Sequence, residues 1–251
     1  MPSRADGPAA PDVVLPEPVW QARAQAHAAR MDALTAAHRA RRAAGRRHPV
    51  EDFLYDYYGL RPGRVRRWHP GAGVVLAGAG ATGRAGWRWY VGDDSGVRLD
   101  VAAFLADRAE TVRAVHRMLT AVAAHAPALG CFGLHEWAMV YRATDDQRRH
   151  RLPLRLGPEG TDRVVEALTL RCSHIDAFRF FTPQARVRNT LRPTRAAQAE
   201  LDQPGCLHVT MDCVKWALTL GPAVPGELLA DCVELARDAR VTDMEASPYD
   251  V

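Results

Sequence analysis

The chain is almost without lysine: Lys215 is the only one among 33 basic side chains, and arginine supplies the rest. That imbalance, with abundant alanine, is the mark of a GC-rich genome. Arginine abundance therefore says little by itself about a polyanionic partner, and the formal net charge of +4 permits one without requiring it. Long apolar runs are also missing. A membrane span needs about 18 consecutive apolar residues, and the most apolar stretch, "LTAVAAHAPALGCFGL", is broken by His125 and Pro127. The N-terminus has no apolar core of the kind a signal peptide carries. These absences argue against a membrane partner.

Cysteine is sparse and odd in number: Cys131, Cys172, Cys206, Cys213 and Cys232. Five cysteines without a secretory signal fit reduced thiols and a cytoplasmic location, not a disulfide framework. No C-x2-C pair is present, which removes the usual frame of a structural zinc site. No H-E-x-x-H is present either, which removes the commonest helical zinc signature.

What is there suits one domain. A chain of 251 residues buries roughly 70–75% of its unfolded surface, so it needs neither metal nor disulfide to fold. Residues 1–16 hold four prolines and little periodicity, and read as a mobile tail. Residues 17–47 read as a basic N-terminal helix, a solvated one with a phosphate-contacting arm as the alternative. Residues 48–251 form the globular domain. Within it, "GVVLAG", "GWRWYVG" and "GVRLDV" are short β-type segments that predict a small antiparallel meander near residues 73–101. The stretch 101–126 predicts the long core helix, and two further helices are expected over 208–219 and 225–240. Residues 171–181 fit either strand or helix. The fold class is α+β: a mostly helical single domain around one small sheet. Gly78, Gly80 and Gly83 have G-x-G-x-x-G spacing, but a strand-like aromatic segment follows where a dinucleotide site needs a helix.

The polar positions carry the chemistry. His48, His69, His135, His174 and His208 lie among apolar or aromatic neighbours, and four of them stand near Glu51 or Asp52, Glu136, Asp176 and Asp212. Others, such as His27, His38 and His150, lie in charged or alanine-rich stretches and read as surface residues. On a helix His208, Asp212 and Lys215 fall at i, i+4 and i+7 and share one stripe. Buried carboxylates need partners, so these acids are expected to converge on each other, on arginines or on an ion.

Four segments, "HPVEDFLYDYYGLRPGRVRRWHPGAG", "CFGLHEWAMVY", "CSHIDAFRFFTP" and "ADCVELARDARVTDMEASPYDV", resemble a family of actinobacterial proteins that carries the automated label 3-methyladenine DNA glycosylase. The resemblance runs from about residue 46 to the C-terminus. It implies a DNA-repair N-glycosylase that releases alkylated purines with no required cofactor and has DNA as partner. Such an enzyme stacks a flipped base on aromatic faces, for which Trp68, Trp87, Trp89, Trp137, Phe178, Phe180 and Trp216 are candidates, Trp137, Phe178 and Trp216 foremost. It stabilises positive charge developing on the sugar with a carboxylate, here Asp212, Asp176 or Glu136. Lys215 is the candidate for a Schiff-base nucleophile. Arg66 and Arg67, in a cluster with Arg46, Arg47, Arg61 and Arg64, would contact phosphates.

The residues also support a different reading. His135, His174 and His208, with Glu51 and His48 as further candidates, could hold iron, manganese or zinc in an oxidoreductase or hydrolase acting on a small molecule. A third alternative is a nucleic-acid-binding module without catalysis.

Overall fold

Alanine- and leucine-rich stretches with few internal breakers become helices, and the glycine-punctuated segment between them becomes a sheet. The computed structural model describes residues 12–148 and 152–251. The elements are β1 (Val13–Leu15), α1 (Glu17–Ala43), α2 (Phe53–Tyr57), α3 (Pro62–Val65), β2 (Val74–Leu76), β3 (Tyr90–Asp93), β4 (Gly96–Leu99), α4 (Val101–Ala124), α5 (Leu134–Val140), α6 (Gly157–Ala167), α7 (Ile175–Phe178), α8 (Pro183–Arg186), α9 (Gln198–Leu201), α10 (Leu207–Leu220) and α11 (Gly226–Glu245). The result is the expected α+β single domain, mostly helical with one small sheet.

The sheet differs from a simple meander. Its order is β1-β2-β4-β3, with β1 parallel to β2 and the other pairs antiparallel. Val13–Leu15, placed in the tail on sequence grounds, is therefore an edge strand, held by pairs such as Val14 with Val75. Residues 1–11 lie outside the described residues. Trp87, Arg88 and Trp89 precede the strand that begins at Tyr90. Gly96 opens β4 at φ +135, where a Cβ would stand 2.3 Å from the Leu76 carbonyl oxygen; the two strands approach as closely as they do because no side chain intervenes. The glycines at 78 and 83 flank short 3-10 turns, and no α-helix follows them before β3.

Helix α1 packs along α11 instead of standing free. Arg23 pairs with Glu227 at 2.8 Å, and Arg30 pairs with Asp231 and Glu234. These pairs use the basic face that a phosphate-contacting arm would need. His27 and His38, expected at the surface, are buried. His27 Nε2 lies 2.8 Å from the Val65 carbonyl, and His38 Nδ1 lies 2.9 Å from Asp52. An alanine-rich helix reads as solvated until its small side chains let a partner helix close over it. Helix α4 departs in the other direction. Asp100 caps it by accepting from Ala103 N, but among its residues only Phe104, Val115 and Val122 are buried. It is a peripheral helix, not the core one.

The central helix is α10. Met211 and Val214 pack into the core shared with α1, α2 and α11. Val209 and Trp216 pack against Val115 and Val122 of α4. Full burial of each such side chain contributes about 1.5–3 kcal/mol. The third side of α10, between these apolar faces, carries His208, Asp212 and Lys215. Burial on two sides fixes the rotation of the helix and so aims the polar stripe inward.

Candidate functional site

Three imidazoles form a row where α5, α7, α10 and α11 meet. The rings of His135 and His208 cross edge to face with centroids 4.6 Å apart, and His208 and His174 follow at 5.3 Å. Each is placed by its own segment. Gly133, at φ +77, turns the chain into α5, and a Cβ there would come within 2.6 Å of Ala246 at the end of α11. His135 then sits in the first turn of α5. His174 is the extended residue that precedes α7. Just before it, the buried Asn189 amide accepts from Cys172 N at 2.7 Å and donates to Cys172 O at 2.9 Å, in the manner of a strand partner. The stretch 171–181 is thus extended up to His174 and helical from Ile175 to Phe178.

Carboxylates close both ends of the row. At one end Asp243 Oδ1 lies 2.8 Å from His135 Nε2, but off the N–H direction, so neither atom is satisfied by a hydrogen bond. The other Asp243 oxygen accepts from Arg240 Nη1 at 3.0 Å, and the same nitrogen donates to Glu136 at 3.0 Å. Cys131 Sγ lies 3.4 Å from His135 Nδ1 and fixes the ring from behind. At the other end His174 Nε2 is 3.5 Å from Asp212 Oδ2 and 3.8 Å from Asp202 Oδ2. Asp212 accepts from Tyr58 OH at 3.0 Å on Oδ1 and from Lys215 Nζ at 3.0 Å on Oδ2. Asp176 lies 3.5 Å from Lys215 Nζ and is bonded through both oxygens to Arg195. Lys215 is the partly exposed member of this group, at 38%.

Among the described residues, two sets of groups have ligand atoms within 4.8 Å of one another: His135, His208 and Asp243, and His174, Asp176 and Asp212. An ion about 2.1 Å from each ligand would hold neighbouring ligand atoms about 3.0–3.5 Å apart, close to the 2.8 and 3.5 Å contacts of His135 with Asp243 and His174 with Asp212. Both ring nitrogens of His174, Nδ1 of His208, Nε2 of His135 and one oxygen each of Asp202 and Asp243 are buried without a hydrogen-bond partner among the described residues. Such atoms cost about 1–3 kcal/mol each if left alone.

The electrostatics divide the row. Burial opposes a charge on His135, but the Asp243 carboxylate beside it outweighs burial and raises its pKa well above the ordinary value, so an ion bound at Nε2 would have to displace that proton. Burial, then the neighbouring His135 charge, depress His208 well below its ordinary value, so it is neutral and free to act as a ligand. Asp243 and Asp212 are held low against burial, Asp243 chiefly by His135 and Asp212 by His174 and Lys215. Asp202, with burial dominant, is shifted up. Lys215 stays protonated, because Asp212 and Asp176 reverse the effect of its burial.

Of the residues singled out from sequence, His135, His174, His208, Asp176, Asp212 and Lys215 come together, and Glu136 joins through Arg240. The others do not. His48 is exposed, with its Nδ1 facing the backbone N–H groups of Val50 and Glu51, and Glu51 pairs with Arg41. His69 packs with Trp87 and Tyr90 beside the sheet. Trp137 donates to the Ala246 carbonyl, and both Trp137 and Phe178 pack in the α5–α8 core. Trp216 packs against α4. Arg66 pairs with Asp32, and Arg67 lies over Trp87 at 4.8 Å. Tyr58, Arg195, Asp202, Arg240 and Asp243 belong to the site and were not singled out. A signal existed for two of them. Arg240 and Asp243 occupy inward positions between Ala236 and Met244 on α11, where a solvated helix would keep apolar residues.

No helix among the described residues is long and apolar enough to cross a membrane. Comparison of the chain with protein-family models, with curated proteins and with solved structures yields no match.

Proposed function

We propose that the chain is a metal-dependent enzyme acting on a small molecule, with the ion held by His135, His208 and Asp243 and the His174, Asp176 and Asp212 group adjoining it. The observation that carries this reading is the set of buried imidazole and carboxylate atoms along one row that have no hydrogen-bond partner among the described residues. Two imidazoles and one carboxylate, without a thiolate among them, form a donor set suited to iron(II), manganese(II) or zinc. Such an ion supplies Lewis acidity, a bound water of lowered pKa or, for iron and manganese, redox chemistry.

The protein's own groups have separable parts. Arg240 and Cys131 hold Asp243 and His135 in place, as outer partners of ligands commonly do. Asp212, kept ionised and oriented by Tyr58 and Lys215, places a fixed negative charge beside His174. Lys215 is held as a cation, which suits charge stabilisation and not a Schiff-base nucleophile. Of the aromatic candidates for stacking a base, Trp68 is buried, Trp137, Phe178 and Trp216 pack in cores, Trp87 and Trp89 pack against the sheet core, and Phe180, 36% exposed, carries Arg179 over its ring. The small-molecule reading is therefore the better supported.

Elemental analysis of protein purified without a histidine tag tests the proposal. About one iron, manganese or zinc per chain is expected, lost in His208→Gln and Asp243→Asn variants that keep the native circular dichroism. Wild-type protein that carries no ion and gains no thermal stability from added iron(II), manganese or zinc would overturn it, and buried waters would then account for the open atoms.

A further inference from the structure

A cavity of about 340 Å³ opens beside Lys215. Its walls include Arg64, Arg108, Lys215, Tyr58, Trp89 and Phe104, and the end of α10 with Gly221 and Pro222 forms one side. Three cations line it, and none of its lining residues is acidic. Behind the wall, Asp212 accepts from Tyr58 and Lys215 at 3.0 Å and Asp176 lies 3.5 Å from Lys215, so the excess charge rests on Arg64 and Arg108, which make no ion pair among the described residues; Asp107 is engaged by Trp89 Nε1 at 2.8 Å and by Arg88 at 3.0 Å. The volume falls at the lower end of small-molecule sites, about 300–1,000 Å³.

Helix capping explains part of this charge. Arg108 Nη2 donates to the Thr219 carbonyl at 2.8 Å and Arg64 Nη2 to the Leu218 carbonyl at 3.3 Å, both in the last turn of α10. A helix C-terminus is equivalent to roughly half a negative charge, so two guanidinium groups there leave an excess. Arg108 Nε is also buried without a hydrogen-bond partner among the described residues. The cavity meets the site directly, because Tyr58 and Lys215 line it and both bond to Asp212. Trp89 and Phe104, edge to face at 5.2 Å, give it an aromatic wall.

We propose that this cavity binds a small organic anion, a carboxylate or phosphate ester with a flat apolar body, and that this anion is the substrate. The anionic group lies against Arg64, Arg108 and Lys215, and the body lies on Trp89 and Phe104. The inference rests on the metal-dependent reading above for the word substrate, but not for binding itself. Bound there, the anion faces the Tyr58 hydroxyl and the Lys215 ammonium, the two groups that orient Asp212.

Isothermal titration calorimetry at low ionic strength, with phenyl phosphate, benzoate, neutral benzamide and inorganic phosphate as probes, tests it. Saturable binding of phenyl phosphate or benzoate is expected, and the better of the two identifies the anionic group. Affinity should fall at least about tenfold in Arg64→Gln and in Arg108→Gln, and weaken with added salt. Arg64 is exposed, so Arg64→Gln keeps the test valid if Arg108→Gln misfolds. The proposal fails if neither organic anion binds at millimolar concentration, if the variants bind like wild type, or if benzamide or inorganic phosphate binds as tightly as the organic anions. Metal content measured on the same samples separates the two ideas. A loaded ion without anion binding refutes the cavity assignment alone, and anion binding without an ion refutes the enzyme reading alone.

Discussion

Replacing Asp243 by Asn keeps the shape of the side chain and removes its charge. Asp243 is fully buried, accepts from Arg240 at 3.0 Å and lies 2.8 Å from His135. Breaking a buried ion pair typically costs about 3–5 kcal/mol. Here Asn still offers a carbonyl oxygen to Arg240, and Glu136 remains as the guanidinium's other acceptor, so the low end applies, about 3 kcal/mol. For a chain of this size each kcal/mol moves Tm by about 2–4 °C, which predicts a fall of roughly 6–12 °C by differential scanning calorimetry. A second effect follows from the proposed ligand role. An ion present at about a hundred times its Kd adds about 2.7 kcal/mol to wild type, and the variant should gain almost none of it. If Asp243→Asn costs less than about 1 kcal/mol and still responds to metal as wild type does, the electrostatic reasoning about this end of the row is wrong.

Three further predictions concern the sheet side of the molecule. Burial, aided by Arg67 and Arg84, lowers the His69 pKa to about 4, and its Nδ1 lies 2.8 Å from Tyr90 OH. The neutral ring contributes stability that is fully present above the unfolded value near 6.5 and is lost as pH falls toward about 4, on the order of 3 kcal/mol in all; urea unfolding of His69→Gln should show a correspondingly flatter pH dependence across that window. Gly96→Ala puts a methyl group 2.3 Å from the Leu76 carbonyl oxygen at φ +135 and should cost about 2–4 kcal/mol. Gly80→Ala, with open space around it, should cost almost nothing by the same thermal assay.

Periodic features of the chain were legible, and features set by partners from distant segments were not. The expected helices over 208–219 and 225–240 are α10 and α11 within a few residues, because their apolar positions recur at helical spacing between glycine and proline breakers. Strand β1 was hidden in a proline-rich tail because three residues acquire strand character only by pairing with β2. The burial of His27 and His38 was hidden because alanine on α1 does not announce which side α11 will cover. The stripe of His208, Asp212 and Lys215 could be placed from spacing alone. Its convergence with His135 and His174 depends on where α5 and α7 dock. Asp202 ends the four-residue α9 just before a proline-glycine turn, with no periodicity to mark it.

The two ends of the imidazole row are built for different purposes, and the placement of the only lysine follows from that. At the closed end a guanidinium is used. Arg240 is 3% exposed, bonds Glu136 and Asp243 through one nitrogen and lies 4.2 Å over the Phe53 ring. A planar, weakly hydrated cation of this kind suits a sealed position. At the open end Asp176 is already bound by the fork of Arg195. The cation between Asp176 and Asp212 must then reach two carboxylates, at 3.5 and 3.0 Å, while also bordering a cavity. A compact ammonium with rotatable donors meets that requirement, whereas a second guanidinium would extend further into that cavity. In a chain that uses arginine at every other basic position, lysine at 215 is where the size of the cation matters as much as its charge.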